Sequence, residues 1–170
     1  LIRKKYYETD FNYEKENLFK IIIIGGSQGA AIFDTLVNEI LVNVSRRCSL
    51  KVIHQTSTKN TDFLKNFYKE NKIESIVFTF DQNLNELLKK SDLCITRGGA
   101  SSLAELSLLK IPFIAIPLPS SKDNHQYENA KYYKDKDCCW IIDQENFNKQ
   151  KFEELLMKIS KKKYDYLIKK

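Results

Sequence analysis

Ile95-Thr-Arg-Gly-Gly-Ala-Ser-Ser-Leu-Ala-Glu105 sets a short apolar strand, a glycine turn, two hydroxyls and a carboxylate in direct succession. The run from Leu93 to Ile95 reads as a buried strand, and Gly98-Gly99 lets the backbone turn sharply and approach a ligand closely. A helix then begins near Ala100. Its unpaired amides and positive dipole end would face any anion above the turn, with Ser101 and Ser102 adding hydroxyl donors. A diphosphate fits that description. Glu105 stands four residues beyond Ser101, on the same helix face, where a carboxylate can accept hydrogen bonds from ribose hydroxyls. A second reading competes, because Ser102-Leu-Ala-Glu105 also matches the Ser-x-x-Glu capping box, in which both side chains only satisfy the helix's own amides. Local sequence leaves cap and ligand contact evenly matched.

Working outward, the same alternation recurs along the chain. Phe19 to Ile24 is a β-branched run that stops at Gly25-Gly-Ser-Gln-Gly29, and helical periodicity follows from Ala30 to about Val44. Further strands are expected at Leu50 to His54, Ser75 to Thr79, Leu93 to Thr96, Pro112 to Ile116 and Cys139 to Ile142. Between them, helices are expected at about Asp62 to Asn71, Leu84 to Lys90, Ser101 to Leu109 and Asn124 to Tyr133, with a closing helix from about Phe147 to Ser160. Strand-helix alternation with short connections implies right-handed crossovers and a parallel sheet of about six strands covered on both faces. That is a doubly wound, Rossmann-like α/β arrangement. Ligands of such sheets bind at the carboxyl ends of the strands. Gly25 to Gly29, His54-Gln55, Phe80-Asp81, Arg97 to Ser102 and Pro119 to Gln126 all fall at those ends.

Composition bounds the class. A chain of 170 residues, 42% hydrophobic and 29% charged, is long enough for one domain with a true core and too short for two ordinary ones. The domain itself is expected over residues 19–160, after an entry segment at 1–18 and before a basic tail at 161–170. No apolar stretch approaches the ~18 residues that span a bilayer, and no signal-peptide pattern is visible. The first residue, Leu1, suggests a fragment or a processed product. Cys48, Cys94, Cys138 and Cys139 show no Cys-x-x-Cys pair and read as reduced thiols of a cytosolic protein. The net charge of +6 comes from scattered lysines with little aromatic interleaving, so no nucleic-acid partner is expected.

Three motifs carry possible chemistry. Gly25-Gly-Ser-Gln-Gly29 also fits the nucleophile elbow of α/β hydrolases, but the 26 residues before Ser27 are too few to build the strands that precede such an elbow. Ser27 fills the place of the second glycine of the dinucleotide fingerprint, and no Lys-Ser or Lys-Thr closes the loop as in a P-loop. Phosphate cradling remains. Asp135-Lys-Asp137 resembles an Asp-x-Asp metal motif, yet it lies between a helix and the following strand, on the opposite rim, and reads as a solvated turn. No other cluster has metal-ligand spacing, and neither metal nor cofactor is expected. Ser121 to Ala130 opens a helix carrying His125, Gln126 and Asn129; Gln126 and Asn129 share a face, and their amides suit the mixed donors and acceptors of a sugar.

Gly25-Gly-Ser-Gln-Gly-Ala30, His54-Gln55, Arg97-Gly-Gly-Ala-Ser-Ser-Leu-Ala-Glu105 and Asp123-Asn-His-Gln-Tyr-Glu-Asn-Ala130 together resemble, in order and spacing, the C-terminal half of the MurG family of bacterial peptidoglycan glycosyltransferases. The resemblance implies the donor-binding half of a two-domain GT-B enzyme that moves N-acetylglucosamine from UDP to undecaprenyl-diphosphate-linked muramoyl pentapeptide, with inversion. It implies that Phe80 and Asp81 border the uracil, with recognition partly through backbone groups, and that Glu105 holds the ribose hydroxyls. Ser27, Ser101 and Ser102 would meet the diphosphate, and Ala100, His125, Gln126 and Asn129 the sugar, with Gln126 foremost. The family often carries two glutamines where this chain has His125-Gln126. Arg3 would be the arginine of an Asn-Pro-x-Arg entry pattern, although the Asn-Pro is missing.

The resemblance further implies that the acceptor site and general base belong to an N-terminal domain or subunit, and that the complete protein is cytoplasmic and peripheral on the inner face of the plasma membrane. Two alternatives stay open. One is a natural split subunit, as in the two-subunit transferase that makes lipid-linked chitobiose; the other is a nucleotide-sugar-binding module without catalysis.

Overall fold

An unbroken isoleucine run such as Ile21 to Ile24 has no polar face to offer water, so it is stable only with cover on both sides. In the computed structural model, which describes residues 18–25 and 30–168, this run is strand β1, Phe19–Ile24, at the centre of the sheet. Around it stand β2 (Leu50–Gln55), β3 (Glu74–Phe78), β4 (Leu93–Thr96), β5 (Phe113–Ala115) and β6 (Cys139–Ile141). All five pairings are parallel, in the order β3-β2-β1-β4-β5-β6. The expected doubly wound arrangement is therefore present, and the strand order reverses direction between β1 and β4.

Helices α1 (Asn38–Ser45), α2 (Thr61–Glu70), α3 (Leu84–Lys89), α4 (Ala100–Leu108), α5 (His125–Lys134) and α6 (Lys149–Ile168) cover the sheet. The strand's two-residue period divides the core. Ile21 and Ile23 pack with Phe33, Leu41, Leu64, Tyr68 and Phe152 of one layer, whereas Ile22 and Ile24 pack with Leu88, Leu103, Leu106 and Ala130 of the other. Burying a side chain of this size contributes about 1.5–3 kcal/mol each, so β1 ties both layers of the core to the sheet.

Register aligns the strand ends. Ile24 pairs with Gln55 on one side and Thr96 on the other; Thr96 pairs with Ala115, and Gln55 with Phe78. The loops leaving these residues consequently open on one edge of the sheet.

Two elements depart from the sequence reading. The expected helix from Ala30 to Val44 is interrupted by a π-helical turn, Phe33–Val37, ahead of α1. The wider turn breaks the 3.6-residue period, and Asp34 lies inside, only 5% exposed. At the other end, α6 continues to Ile168 rather than stopping at Ser160. Lysine is a good helix former, and Lys161 and Lys162 continue the helix with their side chains in solvent. Arg3 and Ser27 lie outside the described residues, as does most of the expected entry segment.

Candidate functional site

The turn after β4 is built by close packing. Gly98 has φ +125°, and a Cβ there would stand 2.7 Å from the carbonyl oxygen of Gln126. Glycine thus lets the start of α4 sit directly against the start of α5. Asn129 secures the contact by donating from Nδ2 to the Gly98 carbonyl at 3.2 Å, and the Leu118 amide donates to Gln126 Oε1 at 2.9 Å. His125, the first residue of α5, is exposed. Asn124 and Asp123 ahead of it both adopt left-handed backbone, which turns the chain into the helix.

Where α4 starts bears on the capping-box reading alone. Gly99 occupies the cap position in an extended conformation, and no side chain caps it. Its carbonyl accepts the first intrahelical bond, from Leu103 at 3.0 Å, so the amides of Ala100, Ser101 and Ser102 precede that ladder. Ser102 stands on the third residue of the helix, where a capping-box serine would have to stand before the first. The capping box is not formed. Ala100 and Ser101 are exposed and Ser102 half-buried at this uncapped end.

Glu105, one turn on, borders a cleft of about 140 Å³. Its other walls are Gln55 from the end of β2 and Phe80, Asp81, Gln82, Leu84 and Asn85 from the β3–α3 loop and α3. Phe80 is 76% exposed, presenting a flat apolar face at the mouth. Asp81 Oδ1 accepts the Asn83 amide at 2.6 Å, which folds the loop back towards α3. The structure brings Phe80, Asp81 and Glu105 together on one cleft; Ala100, Ser101, Ser102, His125, Gln126 and Asn129 gather at the adjoining starts of α4 and α5.

Gln82, Leu84 and Asn85 are cleft residues that sequence reading did not single out, and Gln55 is one to which it gave a place on the rim but no role. For Gln55 a signal existed, since His54-Gln55 falls at a strand end on this rim. Strand alternation decides which of the pair meets the cleft. His54 is fully buried on the α1–α2 face, whereas Gln55 lies on the opposite face beside Glu105.

His54 instead joins a buried polar network below the rim. Asn38 Nδ2 donates to the Asp34 carbonyl at 2.9 Å, leaving Asn38 Oδ1 to accept the Tyr68 hydroxyl at 2.7 Å. With its own proton directed to Asn38, the Tyr68 oxygen, 2.8 Å from His54 Nδ1, accepts a hydrogen bond from that nitrogen. His54 Nε2 lies 3.2 Å from Asp34 Oδ1, and Asp34 Oδ2 accepts from Thr56 at 2.8 Å and Asn60 at 2.6 Å. Burial alone would raise the Asp34 carboxyl, but the bonds from His54, Asn60 and Thr56 outweigh it and hold it below its ordinary value. Burial pushes the Tyr68 hydroxyl well up, which keeps it a donor.

Arg97 ties the other half of the rim. Its Nη1 donates to the Ile116 carbonyl at 3.1 Å and to Gln144 Oε1, and its guanidinium lies 5.0 Å from the Phe33 ring centroid. Burial holds its pKa below the ordinary arginine value. Asp135 and Asp137 sit in the exposed turn between α5 and β6, on the amino-end rim. Among the described residues, no helix is long and apolar enough to cross a membrane.

The chain has relatives among known proteins. The chain is 39% identical, over its whole length, to the UDP-N-acetylglucosamine–N-acetylmuramyl-(pentapeptide) pyrophosphoryl-undecaprenol N-acetylglucosamine transferase of Pelagibacter ubique (strain HTCC1062), covering 48% of that protein. It is 36% identical to the transferase of that name from Rickettsia bellii (strain RML369-C), with 86% of this chain covering 42% of the relative. The chain spans about half the length of the curated relatives it matches. Among solved structures, Acinetobacter baumannii MurG superposes with a TM-score of 0.78 at 23% identity, over 86% of this chain and 42% of that one. WaaG, a glycosyltransferase involved in lipopolysaccharide biosynthesis, superposes at 0.60 with 16% identity, over 86% and 39%. The fold is that of one Rossmann-like half of GT-B glycosyltransferases. The model of the family described as "Glycosyltransferase family 28 C-terminal domain" matches residues 20–170, and the chain belongs to that family.

Proposed function

We propose that this domain binds UDP-N-acetylglucosamine as the donor for an inverting transfer to a lipid-linked muramoyl pentapeptide. The observation that carries the reading is the Glu105 cleft beside the uncapped start of α4, at the carboxyl edge where the strand order reverses. The names of the full-length relatives support the choice of nucleotide sugar and acceptor.

In this reading the uracil lies along Phe80 and Asp81, and the ribose hydroxyls donate to the Glu105 carboxylate. The diphosphate meets the amides at the start of α4, with Ser101 and Ser102 adding hydroxyls. The sugar extends over Ala100 towards His125, Gln126 and Asn129. Gln126 offers its Nε2 hydrogens, since its Oε1 is committed to Leu118. Asn129 has one donor committed to Gly98. Ser27 and Arg3 would complete the diphosphate and nucleotide contacts.

The muramoyl hydroxyl, deprotonated by a base on an N-terminal domain or subunit, attacks the anomeric carbon. The bond to the β-phosphate oxygen breaks, configuration inverts, and UDP leaves with its new charge facing the α4 dipole. The complete protein would act peripherally at the cytoplasmic face of the membrane, where the acceptor resides. The test is reconstitution. Radiolabelled N-acetylglucosamine should pass to the lipid-linked acceptor when this chain is supplied with its N-terminal half, and not with this chain alone. Transfer by the isolated chain would contradict the division of labour.

A further inference from the structure

Three gaps in the buried network below the rim each call for one hydrogen. They run from Asn38 Oδ1 to the Tyr68 oxygen at 2.7 Å, from that oxygen to His54 Nδ1 at 2.8 Å, and from His54 Nε2 to Asp34 Oδ1 at 3.2 Å. Asn38 cannot be turned to supply one, because its Nδ2 donates to the Asp34 carbonyl, which only accepts. Tyrosine brings one hydrogen and a neutral imidazole brings one, so two hydrogens face three gaps. Returning the Tyr68 hydrogen to Nδ1 only moves the deficit, leaving two oxygens 2.7 Å apart with nothing between them. With Tyr68 bonded to Asn38, the deficit falls at His54 Nε2 and Asp34 Oδ1. These are the two buried atoms of the network that lack a hydrogen-bond partner among the described residues. They stand too close for a water to bridge them.

We propose that one further proton lies between His54 Nε2 and Asp34 Oδ1, so that His54 is a buried imidazolium latched to the Asp34 carboxylate. A buried carboxylate oxygen facing a lone pair is uncompensated charge, and the proton pairs it. The Asp34 carboxyl is held below its ordinary value, which leaves that proton on the nitrogen. Among the described residues, the titratable groups that face His54 are Asp34 from the π-helical turn and Tyr68 from α2; its strand neighbours Ile23 and Val77 are apolar. The latch joins two parts of the donor rim. Asp34 stands four residues beyond Ala30, where the chain has just left the glycine run, and His54 precedes Gln55, a wall of the Glu105 cleft. Resting on the donor-site reading above, Asp34 and His54 are positioning residues. Neither touches the ligand, and together they hold the entry to α1 against the end of β2.

The test is nitrogen-15 NMR of the full 170-residue chain labelled in its two histidines, His54 and His125, with His125→Gln identifying the His54 signals. At neutral pH both ring nitrogens of His54 should carry a bonded hydrogen that exchanges slowly with solvent. Asp34→Asn sets an amide N–H against Nε2, so His54 should release that proton at a cost in stability. Nε2 should then move to the shift of an acceptor nitrogen while Nδ1 keeps its hydrogen. The positioning role is read separately, by calorimetric titration with UDP-N-acetylglucosamine. Asp34→Ala should lose about ten-fold in affinity, the scale of one buried hydrogen bond. Asp34→Asn keeps a hydrogen against Nε2 and an acceptor for Thr56 and Asn60, and should recover most of that loss.

A wild-type His54 with one ring nitrogen free of hydrogen overturns the shared proton, and so does an Asp34→Asn spectrum identical to that of the wild type. Equal affinities of the wild type and a folded Asp34→Ala variant overturn the positioning role. A wild type that binds no UDP-N-acetylglucosamine contradicts the donor-site reading, and the His54 signals then still decide the proton. The wild-type spectrum settles that point even if a variant fails to fold.

Discussion

The backbone carbonyl of Gln126 stands where a side chain on Gly98 would have to go, 2.7 Å from the position of its Cβ. The contact joins the start of α4 to the start of α5, the two elements that hold the proposed phosphate and sugar subsites. Gly98→Ala must therefore both leave φ +125° and push α5 away. We expect a loss of about 2–3 kcal/mol in urea denaturation, from backbone strain and displaced packing. Affinity for UDP-N-acetylglucosamine should fall further than affinity for UDP, because in the proposed pose the displaced helix faces the sugar.

Asp34 makes the domain acid-sensitive. Its carboxyl is held below the ordinary value in the folded state, so the stabilisation is fully present above the unfolded carboxylate value of ~3.9 and is lost as pH falls through the lower folded value. Urea melts between neutral pH and about pH 3 should show the decline beginning near pH 4. Asp34→Asn should cost about 2 kcal/mol at neutral pH, since the carboxamide puts an N–H donor where one of two acceptor oxygens met the groups of His54, Thr56 and Asn60 in a buried site. The variant's acid slope should be shallower than that of the wild type.

Much of this was legible from residue patterns alone. The isoleucine run ending at glycine announces a buried strand, and each later strand follows a helix, so a parallel sheet with right-handed crossovers follows from connection rules, whereas the strand order comes from the structure. Glu105 and Phe80 fall at strand and helix ends that converge on one rim. Three things were not legible. Ser102-Leu-Ala-Glu105 satisfies the capping pattern, and only the helix start at Ala100 shows that Ser102 sits inside the helix. His54 and Gln55 are both polar at a strand end, and a one-residue change of register would exchange their faces. The burial of Asp34 has no signal in the sequence, because the π-helical turn that carries it breaks the period on which helix reading depends.

The cysteines differ in chemical access. Cys138 is exposed, whereas burial pushes Cys139 up to about 11 and Cys94, fully enclosed in β4, higher still. Brief iodoacetamide treatment near neutral pH, read by peptide mass spectrometry, should modify Cys138 first and leave Cys94 unlabelled until the domain unfolds.

Gln126 tests the sugar subsite separately from the nucleotide. Gln126→Ala should weaken UDP-N-acetylglucosamine by about ten-fold while leaving UDP almost unchanged, because only the sugar reaches α5 in the proposed pose. An equal loss for both ligands would assign Gln126 to holding the Leu118 loop instead.

The donor site itself is tested most directly by calorimetric titration of UDP into the wild-type chain and Glu105→Ala, with urea melts run in parallel. No capping box depends on the Glu105 side chain, so we predict unchanged stability and a loss of about ten-fold or more in UDP affinity. Undiminished UDP affinity in a folded Glu105→Ala variant would contradict the account.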